Sequence, residues 1–99
     1  MAKVKKVHFV CRDGVNIIER PNGQFVSGYW KLGADVALSV EEVFLHQSKD
    51  DASYRQGKVV ERHLVPFEGD MRYIFVCDPY EENFAWEGTG VGGKGYVYK

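Results

Sequence analysis

No block of like charge runs through this sequence. Its 13 Lys and Arg stand against 14 Asp and Glu, leaving a net charge of -1. That balance excludes a protein that coats nucleic acid through bulk positive charge. A local basic groove stays open, because net charge hides distribution. Basic side chains gather at Lys3, Lys5 and Lys6, and acidic ones at Asp78, Glu81, Glu82 and Glu87. Cysteine is scarce as well. Cys11 and Cys77 are the two present, with no Cys-x-x-Cys, which argues against a structural zinc site; a disulfide between them would need an oxidising compartment. Each lies in an apolar run, so the expectation is two reduced, buried thiols in neighbouring strands. No apolar run approaches a membrane span, and no signal-like apolar segment follows Met1. The expectation is a cytosolic protein without a membrane partner.

Catalytic signatures are equally thin. His8, His46 and His63 are scattered without metal-ligand spacing, and there is no Gly-x-Ser-x-Gly. Cys77 and His46 could pair in space, although a buried strand cysteine is normally inert. The tract Gly88-Thr89-Gly90-Val91-Gly92-Gly93-Lys94-Gly95 invites a phosphate-loop reading. The spacing refuses it, because Lys94 is followed by Gly95-Tyr96-Val97 rather than by Ser or Thr and a helix. A flap touching a ligand, or a bend at a barrel corner, fits better. No metal or cofactor is implied.

What the chain does have is aromatics and strand-like rhythm. Six Tyr, six Phe and two Trp make 14% of 99 residues, large area for a small core or for a ligand cage. Val4–Cys11, Val15–Glu19, Gln24–Leu32, Glu42–His46, Lys58–Val65, Arg72–Cys77 and Tyr96–Tyr98 read as strands. Turns are marked by Asp13-Gly14, Pro21-Asn22-Gly23 and Glu68-Gly69-Asp70. Gly57 reads as a bend and Asp78-Pro79 as a strand break. Asp35–Glu42 is either a short helix capped by Asp35 or the approach to a strand. With no repeat and no linker, residues 1–99 form one mostly β (α+β) domain, a small curved sheet or pseudo-barrel with one or two short helices.

The densest polar cluster runs from Leu45 to Gly57. His46, Gln47, Ser48, Ser53 and Gln56 offer neutral hydrogen-bonding groups, Tyr54 adds a ring, and Lys49 and Arg55 add charge. That inventory suits a polar heterocycle beside a phosphate; a solvated loop explains it equally well. Trp30 sits in a strand, where core packing is the ordinary role. Trp86 adjoins the glycine tract, where exposure is easier and a ring can stack on a base. Lys94 is a further candidate for a phosphate contact.

Gly28-Tyr29-Trp30, Val43-Phe44-Leu45-His46, Ser53-Tyr54-Arg55-Gln56-Gly57-Lys58-Val59-Val60 and Arg72-Tyr73-Ile74-Phe75-Val76 follow one another in a recognisable rhythm. Over residues 25–77 it resembles the PUA-like superfamily, its EVE and ASCH branches in particular. The resemblance implies a pseudo-barrel whose pocket recognises RNA or a modified base, here through Trp30, Trp86, His46, Ser48 and the Ser53–Gln56 stretch. It also implies an alternative, since some ASCH-type proteins hydrolyse acylated cytidines with Lys, Thr and an acidic residue. The sole threonine is Thr89, and no spacing joins it to Lys49 and Glu61. A third reading is an interaction module of an accessory or mobile-element protein, binding another protein through an edge strand.

Overall fold

A computed structural model describes residues 3–12, 16–88 and 93–98. The elements are β1 (Lys6–Val10), β2 (Ile17–Glu19), β3 (Phe25–Trp30), α1 (Ala34–Ser39), β4 (Glu42–His46), β5 (Arg55–Phe67), β6 (Asp70–Pro79) and β7 (Lys94–Val97). They make one seven-stranded sheet in the order β2-β3-β6-β5-β4-β1-β7. β1 and β4 pair in parallel, and every other neighbouring pair is antiparallel. The mostly β character read from the sequence holds. The sheet is open, with β2 and β7 as its edges.

Period-two alternation sorts the side chains onto two faces. Val7 and Phe9 of β1, Val43 and Leu45 of β4, Val59 of β5, and Phe75 and Cys77 of β6 point to one face. There they pack with Phe25 and with Ala37 and Val40 at α1 into the main core. Burying a ring or branched chain of this kind contributes about 1.5–3 kcal/mol. The sheet curls around this core. Phe9 on β1 stacks on Trp30 on β3, centroids 3.7 Å apart and planes 5° off parallel, although β4, β5 and β6 stand between those strands. Lys94 at the β7 edge also reaches across, its Nζ donating to the Lys31 carbonyl at 2.8 Å. Among the described residues no helix is long and apolar enough to cross a membrane.

Four local expectations need correction. Gly57 lies inside β5 and is no bend: it sits opposite Pro79, so close that an added Cβ would run into the Asp78 carbonyl oxygen. Asp78-Pro79 therefore ends β6 after pairing rather than breaking the strand beforehand, and a strand end tolerates the missing proline N–H. Helix α1 exists, but Gly33 is its N-cap and Asp35 lies within its first turn. No disulfide joins the two cysteines, and they do not occupy neighbouring strands. Cys77 is buried on β6, whereas Cys11 follows the end of β1 and is only partly covered. Asp13-Gly14 and Val15 lie outside the described residues.

Two outcomes follow from this packing. Gly57→Ala should lower stability by about 1–3 kcal/mol, the cost of overpacking a tight backbone contact, read as a shifted urea midpoint; an unmoved midpoint would show that β5 and β6 can part at this pair. Burial pushes the Cys77 thiol up to about 12, so a disulfide reagent at pH 8 should modify Cys11 in the native protein and Cys77 only after denaturation. Equal rates for the two thiols would contradict the packing.

Candidate functional site

The opposite face of the same strands is polar and aromatic. Alternation turns His8 of β1 and Phe44 and His46 of β4 away from the main core, and all three are buried. The segment from residue 80 to 88 covers them, crossing the sheet after β6. Ser53 ties that segment down. Its backbone N–H donates to the Phe84 carbonyl at 2.7 Å, its Oγ accepts from the Phe84 N–H at 2.8 Å, and its carbonyl accepts from Asn83 Nδ2 at 2.6 Å. Gln56 adds a second anchor, accepting from Ser53 Oγ at 2.6 Å and donating through Nε2 to the Tyr80 carbonyl at 2.7 Å. Tyr80 in turn donates its hydroxyl to Glu42. Desolvation and this carboxylate together push the phenol up to about 12.

Under this strap the two histidines form a directional pair. His46 Nδ1 lies 2.9 Å from the Asp51 carbonyl oxygen, which can only accept, so Nδ1 carries the proton. Neutral His46 then presents a lone pair at Nε2. His8 Nδ1, 2.7 Å away, donates to it. The neutral His8 ring is left with a bare Nε2, which is buried and has no hydrogen-bond partner among the described residues. Its ring stacks on Phe44, centroids 4.4 Å apart. Burial lowers both histidines below the ordinary range. For His8 the effect reaches about 4, with smaller contributions from His46 and Lys6. At His46 burial is the larger effect, and the Asp51 carbonyl opposes it.

Trp86 lies on this pair. Its ring is 5.0 Å from His46 in an edge arrangement and 5.5 Å from His8. Gly95 of β7 makes room for it, since a Cβ there would meet Trp86 Cζ2 at 2.7 Å. The indole is half-buried, and Lys49 Nζ stands 5.4 Å from its centroid.

The expected site residues are thus divided. Trp30 lies on the main-core face, stacked on Phe9 and bonded through Nε1 to Ser27 Oγ at 3.0 Å, so it shares no cleft with Trp86. The pairing of Phe9 and His8 with opposite faces of one strand keeps the two indoles apart. His46, Trp86 and Lys49 do come together. Ser53 and Gln56 are buried in the strap anchor with their polar groups engaged by the chain itself. Ser48 is tied to Asp51 and to the Asp50 N–H. Gln47 is exposed beside His46. Tyr54 donates to the Cys11 carbonyl, and Arg55 packs on the Phe25 ring while pairing with Glu19 on the main-core face. Lys94 extends toward Lys31 across the curled sheet. Cys77 faces the main core and His46 the strap, so they form no dyad. Thr89 lies outside the described residues, and Glu61 pairs with His63 at 3.0 Å.

His8 is the participant that spacing alone misses. Its signal is the apolar alternation Val7-His8-Phe9 beside Val43-Phe44-Leu45-His46, which places both imidazoles on one face once β1 and β4 pair in parallel. A cleft of about 620 Å³ lies at the other end of β1, between Lys3, Leu38, Arg62 and Tyr98. Two of its charged groups are already engaged, Lys5 with Glu41 and Arg62 with the Ala37 and Val40 carbonyls. Among the described residues no group of three His, Cys, Asp or Glu could hold a metal ion. Comparisons with protein-family models, curated proteins and solved structures find no match.

The histidine pair predicts a pH dependence. An unfolded histidine titrates near 6.5, whereas folded His8 resists protonation until about 4. Between those values the unfolded chain takes up a proton that the native state refuses. Stability should therefore be full above about pH 6.5, fall as pH drops towards 4, and stop falling on this account below it. Urea unfolding at intervals from pH 7.5 to 4.5 reads the effect, and His8→Gln should flatten the slope. A profile unchanged from pH 7 to 5 would mean that the pair is not buried as described.

Proposed function

We propose that this chain is a small cytosolic binding domain of PUA-like type that recognises a nucleobase-containing ligand, an RNA or a modified base, on the Trp86 face. The observation that carries the reading is the half-buried indole, held from below by a rigid histidine pair and faced by the Lys49 ammonium. A ring already attracting a cation offers an electron-rich surface. A base stacking there displaces Lys49, whose charge then meets the ligand's phosphate, while the exposed amide of Gln47 is placed to read a polar edge. His8 and His46 support the platform and do not contact the ligand, because both are fully buried in the fold. The curled, mixed sheet with a short helix between β3 and β4 supports the PUA-like reading. A protein-binding role through an edge has one observation in its favour, the 56% exposure of Ile18 on the short edge strand β2.

Isothermal titration calorimetry with a panel of nucleosides and nucleotides tests the proposal. Trp86→Ala should weaken binding by about 1–3 kcal/mol, the worth of one stacked base, and Trp86→Phe should retain part of it. Because the indole also packs on Gly95 and His46, a melting curve must accompany each variant. Native-like melting with unchanged affinity would leave the site without its platform. Binding that survives Trp86→Ala but fails when Ile18 is changed to Lys would favour the edge-strand role.

A further inference from the structure

The curl of the sheet brings together three cations from distant parts of the chain. The antiparallel register of β3 and β6 sets Trp30 opposite Tyr73. The residues one step beyond, Lys31 and Arg72, therefore stand side by side past the end of β3. Both reach the same oxygen: Asp70 Oδ2 is 3.3 Å from Lys31 Nζ and 3.4 Å from Arg72 Nε. Lys94 arrives from the far edge of the sheet and donates to the Lys31 carbonyl. Its ammonium is lowered below the ordinary lysine range, by desolvation first and then by the facing charges of Arg72 and Lys31. One carboxylate is thus shared by two of the three cations, and Lys94 is held by a backbone carbonyl. The Arg72 Nε–H is buried and, despite its nearness to Asp70, makes no hydrogen bond among the described residues.

Such a cluster carries a cost that nothing nearby among the described residues offsets. Like charges crowd a half-buried lysine, and an arginine donor is left idle. After Asp70 is counted, two positive charges remain. A phosphate monoester carries about -1.5 to -2 at pH 7 and offers three acceptor oxygens. A second protein carboxylate would satisfy only one of the remaining charges. The guanidinium supplies a planar fork and the two ammonium groups point charges, the usual complement for a phosphate. Lys31 is open to solvent, with 71% of its side chain exposed, so the seam can be reached.

We infer that Lys31, Arg72 and Lys94 form a binding site for a phosphate dianion at the seam where β7 meets the end of β3. The site does not depend on the aromatic platform. Lys94 and Gly95 are successive residues of β7, and alternation sends Lys94 to the main-core side while Trp86 lies over Gly95 on the other. The dianion can come as inorganic phosphate or as the terminal phosphate of a nucleotide.

Heteronuclear NMR of the intact chain, titrated at pH 7.5 and low ionic strength, tests the site. Inorganic phosphate should shift the signals of Lys31, Arg72 and Lys94 along one saturable curve, and acetate should bind at least about tenfold more weakly, the difference a second charge-assisted contact makes. Arg72→Gln and Lys94→Gln should each weaken phosphate by about tenfold or more on the same ground. Lys31→Gln, at an exposed position that leaves the fold alone, should weaken it by several-fold. Uridine 5′-monophosphate binding no more tightly than inorganic phosphate assigns the seam to free phosphate. Tighter binding that survives Trp86→Ala assigns the seam to the terminal phosphate of a nucleotide. Shifts spread evenly over all lysines without saturation would overturn the proposal. So would equal affinity for acetate and phosphate, or phosphate affinity unchanged in natively melting Lys31→Gln and Arg72→Gln proteins.

Discussion

The contact between Phe9 and Trp30 joins strands that lie four places apart in the sheet, and it can form only because the sheet rolls around its main core. Much else depends on that roll. It lets the short helix α1 plug the concave side with Ala37 and Val40. It carries the β7 edge to within reach of Lys31, so that Lys94 can lodge beside Arg72. It also fixes the outward side of β1 and β4, on which the strap from residue 80 to 88 is laid. Without the ring stack, the edges would be free to drift apart, and the cation seam would lose one of its three members.

The two faces solve burial differently. On the concave side the side chains are almost all apolar, and area alone stabilises them. On the strap side His8, His46, Ser53 and Gln56 are buried and polar, so each must find a partner within the chain. Ser53 and Gln56 do so by fastening the strap. The histidines do so in series, from His8 through His46 to a loop carbonyl, which fixes both rings and therefore the ring of Trp86 above them. A rigid indole loses little freedom when something stacks upon it, which is what a recognition surface requires.

Alternation made most of the strands legible, including β4 with its His46 and the hairpin of β5 and β6. The turn at Glu68-Gly69 was visible because Gly69 supplies a positive φ, which L side chains rarely adopt. Gly57 and Pro79 were misread because their meaning is set by each other across a strand pair, and local propensity knows nothing of that. Trp86 and Lys49, which meet in the fold, each carry a signal in the sequence, the one beside a glycine tract and the other in a polar loop. Trp30 was grouped with them wrongly. Which face a strand residue takes depends on its register with β6, and the irregularity between Ser27 and Trp30 is invisible in composition. Lys31 and Arg72 carried no signal at all, since their meeting requires both the β3–β6 register and the roll of the whole sheet.

The placement of β1 has a kinetic side. It is flanked by β4 and β7, and the Lys5 N–H already bonds to the Val97 carbonyl at 2.7 Å. A strand at position six must therefore wait, during synthesis, for one neighbour about forty residues later and for another near position 97. Loops of that span are slow to close and give little return until they do. Until β4 emerges the segment Val7–Val10 has no ladder to join, and its exposed main-chain groups are open to pairing with other chains. In a rearranged chain that ran from β7 straight into β1, the two would form an ordinary antiparallel hairpin before the rest of the sheet assembles.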